Sequence, residues 1–116
     1  MNRSIEEQRK YREEMNDCIL DKGGTNIKRF FALDGRVYDE GVLDRQTKEL
    51  MGLVASTVLR CNDCIFYHID QCYHLNVTEA ALYESLSIAL IVGGSITIPH
   101  IRYAVEQWER LCQNKQ

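Results

Sequence analysis

Glu49-Leu50-Met51-Gly52-Leu53-Val54-Ala55-Ser56-Thr57-Val58-Leu59-Arg60-Cys61-Asn62-Asp63-Cys64-Ile65-Phe66-Tyr67-His68 carries two helical patterns separated by a short break. Leu50, Leu53, Val54, Val58 and Cys61 recur at helical spacing on one apolar stripe, with Asp44 as the cap that opens the helix. Glu49 falls on the adjoining stripe with Gly52, Leu53, Ser56 and Arg60, and the small residues at 52 and 56 would let another backbone approach the glutamate. Ile65, Phe66, Ile69 and Tyr73 then keep a helical period from Asp63 to Leu75, and Asn76 ends it. The cysteines therefore sit at the turn and first turn of a helical hairpin. This reading makes the class all-α.

The flanks support it. Ser4 followed by Glu7 is a capping box, which starts a helix through Tyr11, Met15, Cys18 and Ile19 that stops before Gly23-Gly24. Thr25 to Leu33 reads as a short helix, and Asp34-Gly35 as a turn; Phe30 and Phe31 are expected in the core or at a subunit contact. Beyond the hairpin, Val77, Thr78 and Leu82 form a hydrophobic staple around a threonine cap. The helix it opens, through Leu86, Ala89, Leu90 and Val92, is apolar over most of its circumference and is expected to be central; Gly93-Gly94 closes it. Pro99 falls in the first turn of a last helix, where its missing amide hydrogen does no harm, and Tyr103, Ala104, Trp108 and Leu111 give that helix an apolar face. No strand pattern, repeat or second domain competes, so residues 1–116 are read as one domain of about six helices with a central hairpin.

Composition narrows the function. The 116 residues carry 14 Lys and Arg against 17 Asp and Glu, for a net charge of −3 with no basic block, which argues against nucleic acid. The longest apolar run is far short of the roughly 20 residues that span a bilayer, and residues 1–8 lack the apolar stretch of a secretory signal, so a cytoplasmic location is expected. The five cysteines, Cys18, Cys61, Cys64, Cys72 and Cys112, are an odd number and do not suit a structural disulfide framework. Redox chemistry or metal binding is left for the close pair.

A CxxC pair at a helix start is a redox device, because unpaired amides and the macrodipole stabilise thiolate and the spacing lets the sulfurs bond. His68 lies four residues beyond Cys64, so on a helix it places a base beside that thiol. The helix start favours Cys61 as the attacking sulfur and the histidine favours Cys64; spacing leaves both open. Glu49 lies roughly 17 Å back along its own helix from the turn, too far to touch Cys61. In an antiparallel hairpin it is level with His68 to Cys72, where the carboxylate would orient or charge the imidazole, directly or through a water.

Glu49, then Cys61 twelve residues later, then Cys64 and His68, resembles the alkylhydroperoxidase D branch of the carboxymuconolactone decarboxylase family. Leu43 to Leu50 is similar to that family's entry to the glutamate helix, and Val92-Gly93-Gly94 with Pro99 to its downstream signature, so the resemblance covers roughly residues 36–112. It implies an all-helical fold assembled into trimers or, in short members, hexamers arranged as trimers of dimers. It also implies thiol-dependent peroxidase or disulfide reductase activity, with Cys64 as the peroxide-attacking thiol, Cys61 as the resolving thiol, and His68 and Glu49 as a proton relay. No bound cofactor or metal is implied; the substrate is a hydroperoxide or a protein disulfide, and electrons come from a thiol donor such as a lipoylated or thioredoxin-like protein. Asp63 stands where the family often carries a histidine, and a carboxylate there is expected to raise thiol pKa values and slow the reaction with peroxide.

Two other readings stand beside this one. A decarboxylase-type lyase would have no use for the CxxC pair. A non-enzymatic oligomer could use Cys61, Cys64, His68 and Cys72 as zinc ligands, yet all four come from about one helix and its entry, whereas zinc sites normally bring a second knuckle from elsewhere. Cys72 is expected as a small buried hydrophobe, Cys18 and Cys112 as packing residues, and His74 and His100 outside the site.

Overall fold

The computed structural model describes residues 3–113. Six α-helices follow one another: α1 (Ile5–Lys22), α2 (Gly24–Val37), α3 (Arg45–Val58), α4 (Asn62–His74), α5 (Glu79–Gly93) and α6 (Ile98–Gln113), with a 3-10 turn at Ser95–Thr97 between the last two. There is no strand among the described residues. The chain falls into two compact units, the first ending at Asp39 and the second beginning at Glu40.

In the first unit α1 packs on α2. The capping box is present, with the Ser4 hydroxyl accepting from the Glu7 amide at 3.0 Å and Glu7 accepting from the Ser4 amide at 2.8 Å. Gly23 stands where the helices meet: a Cβ there would lie 2.5 Å from the Ile19 carbonyl oxygen and against the Ile27 side chain. The expected turn at Asp34-Gly35 is not there, because α2 continues through both residues to Val37. Turn-forming residues bias a chain locally but do not stop a helix that still has hydrogen bonds to make. No residue of α2 is buried, and Phe30, Leu33 and Val37 are exposed.

The second unit holds the larger core. α3 packs against both α4 and α5, and α6 packs against α4. Leu53, Ile65, Phe66, Ile69, Leu82, Leu86, Ala104, Trp108 and Leu111 are buried there. On α3 the buried face is not the apolar stripe but the adjoining one: Glu49, Gly52, Leu53, Ser56 and Thr57 are buried, while Leu50, Val54 and Val58 line an open groove. The starts of α3 and α5 are capped as their residues dictate: Asp44 accepts from the Thr47 amide at 2.8 Å, and Thr78 from the Ala81 amide at 3.1 Å.

The expectation that α5 is central is corrected. It buries Leu82, Leu86 and Ala89, while Tyr83, Ile88, Leu90, Ile91 and Val92 are exposed. A helix apolar all round buries whichever face the chain supplies with a neighbour, and here α3 supplies one. Between α3 and α5 an apolar groove of about 660 Å³ is left open, lined by Leu50, Met51, Val54, Val58, Ile88 and Val92 among others.

Two tight joints frame α4. After α3, Arg60 adopts the left-handed region (φ 61°); its amide bonds the Thr57 carbonyl at 3.0 Å and the Cys61 amide bonds the Ser56 carbonyl at 3.1 Å. After α4 the same pattern recurs at Asn76 (φ 63°), with Asn76 to Tyr73 and Val77 to Cys72 bonds. Both are Schellman closures with a residue other than glycine at the left-handed position.

Candidate active site

The Arg60 joint delivers Cys61 as the N-cap of α4, in extended backbone (φ −105°, ψ 98°). Its sulfur accepts the Cys64 amide at 3.3 Å, the role usually filled by a serine or aspartate oxygen. Cys61 is half-buried and Cys64 exposed; neither is in a disulfide. Their Sγ atoms lie 2.8 Å apart, against about 2.05 Å in a disulfide. The amide ends of the first turn and the helix dipole favour negative charge on the sulfurs. Asp63, in that first turn, also sits well with the dipole.

His68 lies one turn beyond Cys64 on α4 and is buried, 8% exposed. Its Nδ1 is 2.7 Å from Oε1 of Glu49, which is fully buried. Since a carboxylate oxygen accepts, His68 donates from Nδ1, which leaves Nε2 as the basic nitrogen. Glu49 and His68 therefore meet directly, with no water between them. Gly52 and Ser56, on the stripe of Glu49, are buried as well. Glu49 Oε2 is buried without a hydrogen-bond partner among the described residues. Buried Cys72, one turn beyond His68, is pushed up to about 12 by burial and secondarily by the Glu49 charge.

One titratable group that the spacing leaves outside the site lies beside it. His100, in the first turn of α6, places Nδ1 2.7 Å from Oδ1 of Asn62, the residue between the two cysteines in the first turn of α4. The contact joins positions 38 apart in sequence, and no local pattern could have announced it. Tyr103, one turn along α6, has its pKa raised by burial and then by the charge of Asp63, the other residue between the cysteines. Cys18 and Cys112 are exposed, contrary to their expected packing role. No three His, Cys, Asp or Glu side chains among the described residues gather as a metal ion would need. No helix among them is long and apolar enough to cross a membrane.

The profile of the carboxymuconolactone decarboxylase family matches residues 27–107, which includes all four residues of the Glu49, Cys61, Cys64 and His68 set. The chain belongs to the carboxymuconolactone decarboxylase family. Among solved structures, TM1620 from Thermotoga maritima is 53% identical with a TM-score of 0.89, over 91% of this chain and 93% of that one. A second crystal structure of TM1620 (52% identity, TM-score 0.88, 91% and 90% covered) describes it as a member of this family with a possible part in antioxidative response. A Legionella pneumophila family protein, lpg0406, shares the fold at 24% identity and a TM-score of 0.84, over 90% of this chain and 94% of that one. No curated protein sequence matches. This carboxymuconolactone decarboxylase family chain is thus an all-helical member that carries a CxxC pair at a helix start.

Proposed function

We propose that this chain is a thiol-dependent oxidoreductase of the alkylhydroperoxidase D type, cycling Cys61 and Cys64 between dithiol and disulfide. The observation that carries the reading is two reduced thiols in contact at a helix N-terminus, one turn from a histidine whose Nδ1–H is tied to a buried carboxylate. The antioxidative description of the Thermotoga relative supports it from a second direction.

In the cycle, the Cys64 thiolate attacks the outer oxygen of a hydroperoxide; the O–O bond breaks, the alcohol leaves with a proton, and Cys64 becomes a sulfenic acid. Cys61 then attacks that sulfur, and the hydroxyl leaves as water. Two thiols of a donor return both electrons and both protons, and the donor leaves as a disulfide. His68 Nε2 takes and returns the proton at Cys64, and Glu49 holds the imidazole in the tautomer that makes this possible. Cys64 is given the attacking role because it is exposed and shares a helix face with His68, whereas Cys61 is half-buried and caps α4. A protein disulfide is the alternative oxidant, and a lipoylated or thioredoxin-like protein in a reducing cytoplasm suits the donor role. The exposed apolar faces of α2 and α5 support a homo-oligomer, with a hexamer as the expected form.

The test is a peroxide pulse on wild type, Cys61→Ser and Cys64→Ser, followed by thiol titration and intact-mass measurement. Wild type should lose two protons, and Cys61→Ser should trap a sulfenic acid on Cys64. Sulfenic acid on Cys61 in the Cys64→Ser protein, with none on Cys64, would reverse the two roles. Thiols that stay inert to peroxide while a dithiol reagent cycles the pair would make disulfide exchange the activity.

A further inference from the structure

We propose that His100 is a positioning residue for the Cys61–Cys64 pair: by donating from Nδ1 to Asn62 Oδ1 it clasps the turn between the two sulfurs to α6, and so sets how readily their disulfide is reduced. This rests on the dithiol–disulfide reading of the site.

Oδ1 of an asparagine can only accept, so the 2.7 Å contact fixes His100 as the donor. Asn62 is the first residue of α4 and stands between the cysteines, so its side chain is a handle on the backbone that carries both sulfurs. The imidazole is brought there by a firmly built approach. Gly94 turns the chain at φ 83° and ψ −176°, Thr97 is fully buried with its hydroxyl bonded to the Gly94 carbonyl at 2.8 Å, and Pro99 brings a restricted φ to the first turn of α6. Three residues on, Tyr103 lies within the electrostatic reach of Asp63. Both residues between the cysteines are therefore addressed by one face of α6, at i and i+3.

Such a clasp matters because the turn must close when the pair is oxidised. The sulfurs move from 2.8 Å to bonding distance, and the Cys61 sulfur that caps the Cys64 amide changes its bonding. A tie that holds Asn62 in the dithiol arrangement stabilises the reduced form, and stabilising the reduced form makes the disulfide more oxidising. The bond is partly exposed to water, so the effect is modest: about threefold in the equilibrium constant, which for a two-electron couple is roughly 15 mV.

The experiment equilibrates the full chain at neutral pH with graded mixtures of reduced and oxidised dithiothreitol, quenches by alkylation, and measures the fraction of the Cys61–Cys64 peptide in the disulfide form. His100→Ala and Asn62→Ala should each shift the midpoint about threefold, with His100→Ala toward disulfide. The double variant should shift less than the sum of the two, because they share one bond. His100→Gln, which keeps an N–H donor, should recover wild-type behaviour, a rescue that loss of a merely structural side chain would not show. If His100→Ala does not fold, Asn62→Ala and His100→Gln against the double His100→Gln/Asn62→Ala carry the same comparison. An unmoved midpoint in His100→Ala, or strictly additive shifts, overturns the proposal alone. A wild-type pair that never exchanges with the dithiol overturns the oxidoreductase reading and this proposal with it.

Discussion

Glu49 and His68, nineteen positions apart, form a 2.7 Å hydrogen bond between a fully buried carboxylate and a nearly buried imidazole. With Nδ1–H committed to the carboxylate, the basic face of the ring is Nε2. His68→Ala should therefore slow peroxide-driven oxidation of Cys64 at pH 7 by roughly 10²–10⁴-fold. The deficit should shrink as pH rises and a thiolate forms without a base. Stopped-flow rates across pH test this; a deficit that is constant with pH would remove His68 from the proton transfer.

Replacing the other partner separates chemistry from packing. Glu49→Gln keeps an acceptor for His68 and should stay folded with a reduced rate. Glu49→Ala leaves a cavity and an unpaired buried imidazole, which should cost roughly 2–4 kcal/mol in denaturant unfolding at fixed protein concentration.

Arg60 holds a left-handed conformation, at φ 61°, that costs a residue with a Cβ about 1 kcal/mol or more. Arg60→Gly should raise the denaturation midpoint by an amount equivalent to about 1 kcal/mol. A lower midpoint would mean that the extra freedom of glycine in the unfolded chain outweighs the relief.

At Gly93 a Cβ would overlap Cγ2 of buried Thr97 and touch Val58. Gly93→Ala should destabilise by about 1–3 kcal/mol through overpacking. Adding Thr97→Ser, which removes Cγ2 but keeps the hydroxyl bonded to Gly94, should recover most of that loss.

Cys72 yields a pH dependence. Burial, then the Glu49 charge, raises its pKa from 9.0 to about 12, so the folded state holds the proton that the unfolded state gives up. The stability linked to this thiol is fully present below pH 9 and is lost as pH rises from 9 towards about 12. Unfolding midpoints at pH 8, 9 and 10 should fall more steeply for wild type than for Cys72→Ala. Parallel curves would show that the thiol is not held protonated by the fold.

Much of this was legible from residue spacing, because the signals were local. Ser4, Asp44 and Thr78 cap the helices their patterns announce, and a period of 3.6 places Glu49 level with His68 once the hairpin is antiparallel. The failures have a shared cause in tertiary context. Asp34-Gly35 lost its turn to the continuing hydrogen bonds of α2, and the circumference of α5 is more apolar than its neighbours can cover. His100 lies against Asn62 only because α6 folds back along α4, which no short window of residues encodes.

The Cys61 sulfur serves as the cap of α4, with the Cys64 amide pointing at it. That amide proton is thus a spectroscopic witness placed at the reacting atom. Its NMR chemical shift and its exchange with deuterium should register thiol, thiolate or disulfide at Cys61 without any label, and they offer a way to follow the pair in the intact protein.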